Sequence, residues 1–143
     1  MQSKDYLQSL FGCQGRKAVV TGASSGLGAT MAGVLASAGA DVLIVARRAE
    51  RLETLAAELQ DCEGAVHTFS ADLSDSSAIA SLAEESQNQL GGCDILVANA
   101  GTANRVRLET MSEEDFTAVM DLNLKAQWLL AKALFPQLCQ SAA

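Results

Sequence analysis

Thr21-Gly22-Ala23-Ser24-Ser25-Gly26-Leu27-Gly28 joins a short apolar run, Ala18-Val19-Val20-Thr21, to a stretch in which Leu27, Met31, Val34, Leu35 and Ala38 recur at helical spacing. The run predicts a buried strand, and the recurrence predicts a helix that stops at Gly39. A glycine-rich turn in this place suits the holding of a phosphate. Backbone N–H groups must approach the anion closely, and the positive end of a helix adds to the attraction. Gly22 allows the tight turn, Gly26 removes side-chain bulk facing the ligand, and Gly28 lets the helix pack against the sheet. Ser24 and Ser25 add hydroxyl donors, and Leu27 opens the helix between the last two glycines. The alternative is a flexible connection with incidental glycines. The strand before it and the helix after it weigh against that reading.

Outward from this turn the chain goes on alternating strand and helix. Val42-Leu43-Ile44-Val45 reads as a second buried strand, and Leu52, Leu55, Ala56 and Leu59 mark a second amphipathic helix. Val66 to Phe69 is a weaker third strand. Ile79, Leu82, Ala83 and Leu90 outline a third helix ended by Gly91-Gly92, and Ile95-Leu96-Val97-Ala98 is a fourth strand. Strands apolar on both faces and separated by helices imply a parallel sheet covered on both sides. The expected fold is therefore α/β, a Rossmann-like doubly wound parallel sheet with ligands at the C-terminal ends of its strands. Ser112-Glu113-Glu114-Asp115 opens a longer last helix with a cap-like start, carrying Phe116, Val119, Met120, Trp128, Leu129 and Leu130, and interrupted or ended near Pro136. No linker or repeat divides residues 1–143, which read as one partial dinucleotide-binding domain.

Composition narrows the function. Hydrophobic residues make up 49% and charged residues 19%, as in a folded globular domain. The net charge of −7, with only 4% aromatic residues and no basic run, opposes nucleic-acid binding. No apolar run reaches the ~20 residues that span a bilayer, and Met1-Gln2-Ser3-Lys4-Asp5 has no signal-like stretch. The four cysteines form no Cys-x-x-Cys pair and are expected to be reduced thiols in a cytoplasmic protein. With His67 as the single histidine, neither a metal site nor a histidine triad is expected.

After the second strand stands Ala46-Arg47-Arg48. A dinucleotide site that prefers NAD usually has an acid here for the ribose 2′-hydroxyl. Two guanidiniums instead favour a 2′-phosphate, hence NADP(H) over NAD(H). The plainer alternative is a solvated pair, with Arg47 bridging to Glu50 or Arg48 exposed.

The glycine spacing is Gly-x-x-x-Gly-x-Gly, and Ala98-Asn99-Ala100-Gly101 follows the fourth strand. These two motifs resemble the short-chain dehydrogenase/reductase family, whose usual Asn-Asn-Ala-Gly has its first asparagine replaced here. The resemblance covers the chain from about Gly15 to its end. It implies an oxidoreductase that moves hydride between a nicotinamide dinucleotide and a small carbonyl or alcohol substrate. It also implies that Asp72, followed by Leu73, accepts from the adenine amino group; capping of the third helix by Asp72 or Ser74 is the alternative. Asn99, Ala100 and Gly101 would knit strands and let the nicotinamide ribose pass. Asn123, within Met120-Asp121-Leu122-Asn123-Leu124, matches the asparagine of the family's catalytic tetrad, which holds a water beside the active-site lysine. Its spacing from Phe116 and Met120 puts it on the stripe expected to be buried, where its amide would need partners; stitching helix to loop is the alternative.

The resemblance also marks what to expect elsewhere. The family's tyrosine is followed four residues later by lysine, but Tyr6 is followed by Leu10, and no Tyr-x-x-x-Lys occurs. The serine, tyrosine, lysine and remaining strands are expected beyond Ala143, so the chain alone is expected to be inactive and to expose apolar surface on the last helix and fourth strand. Family members commonly assemble through that helix, so a homo-oligomer is expected. Two other readings compete: a catalytically inactive short protein that binds a dinucleotide or a partner, and a Rossmann-like methyltransferase, which would want an acid where Arg47 and Arg48 stand.

Overall fold

The computed structural model describes Tyr6 and residues 10–141; the Met1–Asp5 stretch read above for a signal lies outside them. Strands β1 (Lys17–Thr21), β2 (Asp41–Ala46), β3 (Val66–Ser70) and β4 (Ile95–Val97) form one parallel sheet in the order β3-β2-β1-β4. The helices between them are α1 (Gly26–Ser37), α2 (Ala49–Glu58) and α3 (Ser76–Leu90). After β4 come a 3-10 turn (Leu108–Thr110), α4 (Glu113–Met120), a π-helical turn (Asp121–Lys125) and α5 (Ala126–Ser141). The expected doubly wound fold is present. Successive strands step away from β1 to β3, and the chain then returns to place β4 on the other side of β1. The strand order thus reverses between β1 and β4, where such sheets open a crevice.

Strand alternation divides the core in two. Val19, Leu43 and Val45 face a layer that includes Ile79, Leu82 and Leu90 of α3 and Ala126, Leu130 and Leu134 of α5. Ala18, Val20, Val42 and Ile44 face the opposite way, onto Ala32 and Ala36 of α1 and Leu52 and Leu55 of α2. Each fully buried Leu or Ile contributes about 1.5–3 kcal/mol. The central strands β1 and β2 are buried almost throughout, while β3 and β4 are half-buried because each pairs on one side only. The fourth strand stops at Val97, one residue short of its expected end.

Three expectations need correction. On α1, Leu27, Met31 and Val34 point outward, with Leu27 70% exposed, while Gly28, Ala32 and Ala36 form the buried face. A helix that follows a strand through so short a turn lies close to the sheet, and only small side chains fit between them. The last helix does not stop at Pro136 but runs to Ser141. The proline is on the solvent side, and beyond it Gln137 Nε2 donates to the Ala83 carbonyl at 2.8 Å, tying the last turns to α3. Asn123 is exposed rather than buried. The apolar positions around it are exposed as well: Phe116 (56%), Met120, Leu124 and Trp128 (60%) follow one another at four-residue spacing.

Candidate functional site

The C-terminal ends of all four strands border one open cleft of about 320 Å³. The first wall is the turn after β1. Gly22 and Gly26 have φ of +67° and +59°, in the left-handed region that disfavours side chains. A Cβ on Gly28 would stand 2.4 Å from the Gly22 carbonyl oxygen and 2.6 Å from Asn99 Nδ2, so residue 28 must be glycine for helix and turn to meet. A Cβ on Gly26 would meet nothing within 4 Å, so its glycine answers to backbone conformation and leaves the approach to the turn open. Ser25 is the N-cap of α1, yet its side chain makes no capping bond and leaves the first N–H groups of the helix uncovered by its hydroxyl.

A buried threonine joins this turn to the end of β4. Thr21 Oγ1 donates to the Val97 carbonyl at 3.3 Å and accepts from the backbone N–H groups of Asn99 and Ala100, each at 3.1 Å. Asn99 Nδ2 in turn donates to the Thr21 carbonyl at 3.1 Å and, more weakly, to that of Gly22 at 3.4 Å. Asn99 therefore knits β1 to β4, the job expected of it. Thr21 was not singled out in the sequence, although a polar residue closing an otherwise apolar strand just before the glycines was a usable signal.

The second wall follows β2. Arg48 Nη2 donates to Ser24 Oγ at 3.0 Å, bridging the two strand ends across the mouth of the cleft. Arg47 is exposed beside it, and its carbonyl accepts from the Ser70 hydroxyl at 3.1 Å. Among the described residues no ion pair joins Arg47 to Glu50. The third wall follows β3, where Asp72 Oδ1 accepts from both the N–H and the hydroxyl of Ser74, at 3.0 and 2.8 Å. The bond from the Ser74 backbone N–H, and after it the one from the hydroxyl, hold the Asp72 carboxyl below its usual range; slight burial opposes them and the charge of Arg47 reinforces them. Asp72 is not the cap of α3. Asp75 is, accepting from the Ser77 N–H at 2.8 Å.

The fourth wall is the chain after β4, facing the π turn. Asn123 Oδ1 accepts from the Thr102 N–H at 2.8 Å, and Asn123 Nδ2 donates to the Thr102 carbonyl at 2.7 Å. A Cβ on Gly101 would stand 3.2 Å from Asn123 Oδ1, so a small residue there keeps this contact open.

Of the residues expected to bind the cofactor, Gly22, Ser24, Ser25, Arg47, Arg48, Asp72, Leu73, Asn99, Ala100 and Gly101 line the cleft. Gly26, Leu27 and Gly28 do not, nor does Asn123, the residue expected to be catalytic. Gly28 acts through packing, and Leu27 turns to solvent. Val45, Ala46, Ala71 and Leu122 also line it and were not foreseen. The first three are small or apolar strand-end residues that look like ordinary core in the sequence. Among the described residues no group of acidic, cysteine or histidine side chains could hold a metal ion, and no helix is long and apolar enough to cross a membrane.

Comparison with known proteins agrees with this geometry. Nodulation protein G of a Rhizobium species is 42% identical over 125 residues, which are 87% of this chain and 50% of the relative. D-threitol dehydrogenase of Mycolicibacterium smegmatis is 36% identical over 124 residues, 87% of this chain and 48% of the relative. The chain thus spans about half the length of the curated relatives it matches. Among solved structures, a metagenomic short-chain oxidoreductase in complex with NADP superposes with a TM-score of 0.83 at 40% identity, covering 90% of this chain and 58% of that one. The RhlG/NADP active-site complex of Pseudomonas aeruginosa gives a TM-score of 0.87 at 37% identity, covering 93% and 52%. The family model for short chain dehydrogenases matches residues 16–143, from the start of β1 through all four walls of the cleft, and the chain belongs to that family.

Proposed function

We propose that this chain is the cofactor-binding part of a cytoplasmic NADP(H)-dependent oxidoreductase that reduces a carbonyl or oxidises a secondary alcohol. The observation that carries the cofactor choice is Arg48, bonded to Ser24 at the mouth of the cleft with Arg47 beside it and no carboxylate at the end of β2. A guanidinium there suits the 2′-phosphate, and Ser24 already holds it in the glycine turn. Support comes also from NADP complexes among the similar structures.

The cleft fits a dinucleotide. Gly22, Ser24, Ser25 and Gly26, with the uncapped start of α1 at Leu27, would receive the pyrophosphate, and Gly28 would set the position of the helix. Asp72, ionised at neutral pH, is an acceptor only and suits the adenine amino group, with Leu73 beside it. Ala100 and Gly101, held by Asn99 and Thr21, would leave room for the nicotinamide ribose. The cofactor supplies the hydride donor or acceptor when bound. Asn123, positioned by Thr102, is the catalytic residue this chain provides, fixing a water on the proton path.

In this reading the 143 residues bind the dinucleotide without turning substrate over, because no Tyr-x-x-x-Lys occurs among them. The exposed stripe of Phe116, Met120, Leu124 and Trp128 is proposed to meet a second copy of the chain; sedimentation at the monomer mass in analytical ultracentrifugation would count against that. The decisive experiment is direct titration with NADPH and NADH. Tighter binding of NADPH supports the reading, equal affinities remove the cofactor preference, and binding of neither overturns the assignment.

A further inference from the structure

Gln127 carries a buried polar atom without a partner among the described residues: its Oε1 accepts no hydrogen bond. The nitrogen of the same amide is fully used. Nε2 donates to the Ala100 carbonyl at 2.7 Å and to the Leu122 carbonyl at 2.9 Å. The second acceptor exists because of the π turn. The Ala126 N–H donates to the Asp121 carbonyl, five residues back, so the Leu122 carbonyl lacks the donor that a regular α-helix would bring from Ala126. Gln127 supplies that donor, and its other N–H grips the chain leaving β4.

Both acceptors belong to residues that line the cleft. Asn123 follows Leu122 directly, and Thr102 lies two residues past Ala100. Two amide side chains therefore cross-link the π turn to the segment after β4, each through two hydrogen bonds. The two links differ in surroundings. Those of Asn123 are exposed, where water competes for every bond, whereas those of Gln127 are partly buried and harder to exchange.

We propose that Gln127 is a positioning residue that sets the π turn against the exit of β4 and so orients Asn123 in the site. The catalytic meaning of this rests on the proposed function; the geometric part does not. Because the amide is held by its nitrogen alone, a carboxylate of the same shape cannot replace it. Gln127→Glu would set oxygen against two carbonyl oxygens.

The test compares the wild type with Gln127→Met and Gln127→Glu by amide hydrogen exchange in NMR, with an NADPH titration of each. Thr102 is expected to exchange roughly tenfold faster in both variants, as for the loss of one net hydrogen bond, with Val19 and Leu43 in the core unchanged. Adding Gln127→Met to Asn123→Ala is expected to bring no further acceleration at Thr102, because both act on one link. In the wild type itself, the Gln127 Nε2 protons are expected to exchange no faster than the Thr102 amide. Unchanged protection of Thr102, a loss shared equally by Val19 and Leu43, or faster exchange of the Gln127 protons overturns the proposal. A wild type that binds no NADPH overturns the proposed function instead, and the exchange rates still decide the role of Gln127.

Discussion

Asn123 and Thr102 close a ring of two hydrogen bonds, one from the Thr102 N–H to Asn123 Oδ1 and one from Asn123 Nδ2 to the Thr102 carbonyl. An amide carries its donor and its acceptor on separate atoms, so it can serve both the N–H and the carbonyl of a single backbone residue. Asn123→Asp keeps the first bond and sets a carboxylate oxygen against the Thr102 carbonyl, while Asn123→Ala loses both. Denaturant unfolding is expected to show a loss of about 0.5–1.5 kcal/mol for the alanine variant, small because water replaces the partners. In the oxidoreductase proposed to contain this chain, kcat is expected to fall in both variants with KM for the dinucleotide little changed. A kcat equal to that of the wild type in Asn123→Ala would remove the catalytic role.

The glycine turn offers a steric test. Gly28→Ala forces a Cβ against the Gly22 carbonyl and the Asn99 amide, both backbone-anchored or hydrogen-bonded and unable to yield cheaply. Overpacking of this kind costs about 1–3 kcal/mol. Chemical denaturation should register that loss. Gly26→Ala should lose stability through its positive φ alone, since its Cβ would meet no atom. Equal NADPH affinity in Gly28→Ala and wild type would mean that the turn tolerates displacement.

Cofactor preference can be read from one guanidinium. Arg48→Ala removes the bond to Ser24 and, in the proposed complex, a charge-assisted bond to the 2′-phosphate worth about 1.5–3 kcal/mol. NADPH binding is expected to weaken by roughly 10–100-fold and NADH binding to stay within about twofold. Calorimetric titration of both dinucleotides against the variant checks the difference. Parallel weakening would assign Arg48 to the fold rather than to the phosphate.

Cys93 gives a prediction at alkaline pH. It is 2% exposed, and burial pushes its thiol up to about 11 from 9.0, with the neighbouring charge of Asp94 adding a little and two backbone hydrogen bonds opposing. Between these values the unfolded chain gives up the proton and the folded chain keeps it, so the unfolded state is favoured as pH rises. The stabilisation is complete below pH 9 and is lost towards pH 11, by about 2–3 kcal/mol. Cys93→Ala should be less stable than the wild type at pH 7, with the gap closing above pH 9. Urea unfolding across that range checks it, and a constant gap would show that the thiol does not titrate with folding.

The parallel doubly wound sheet and the glycine turn were legible in the sequence, because strand and helix periods and turn glycines act locally. Ser112 as a cap, with its Oγ accepting from the Asp115 N–H at 3.0 Å, and Gly91 as the left-handed end of α3 were legible for the same reason. What the tertiary structure decided was distance. Residues 27–36 are apolar but for Thr30, so periodicity could not tell which face would be buried; the closeness of α1 to the sheet selected Gly28, Ala32 and Ala36 over Leu27, Met31 and Val34. Spacing placed Asn123 on an apolar stripe, yet that stripe is exposed, and the partner of Asn123 is a backbone group 21 residues away. The linking roles of Thr21 and Gln127 likewise depend on carbonyls from other elements, which no local pattern announces. The sequence determines which residues share an element and a face; only the packed chain determines which backbone groups come within hydrogen-bond reach of them.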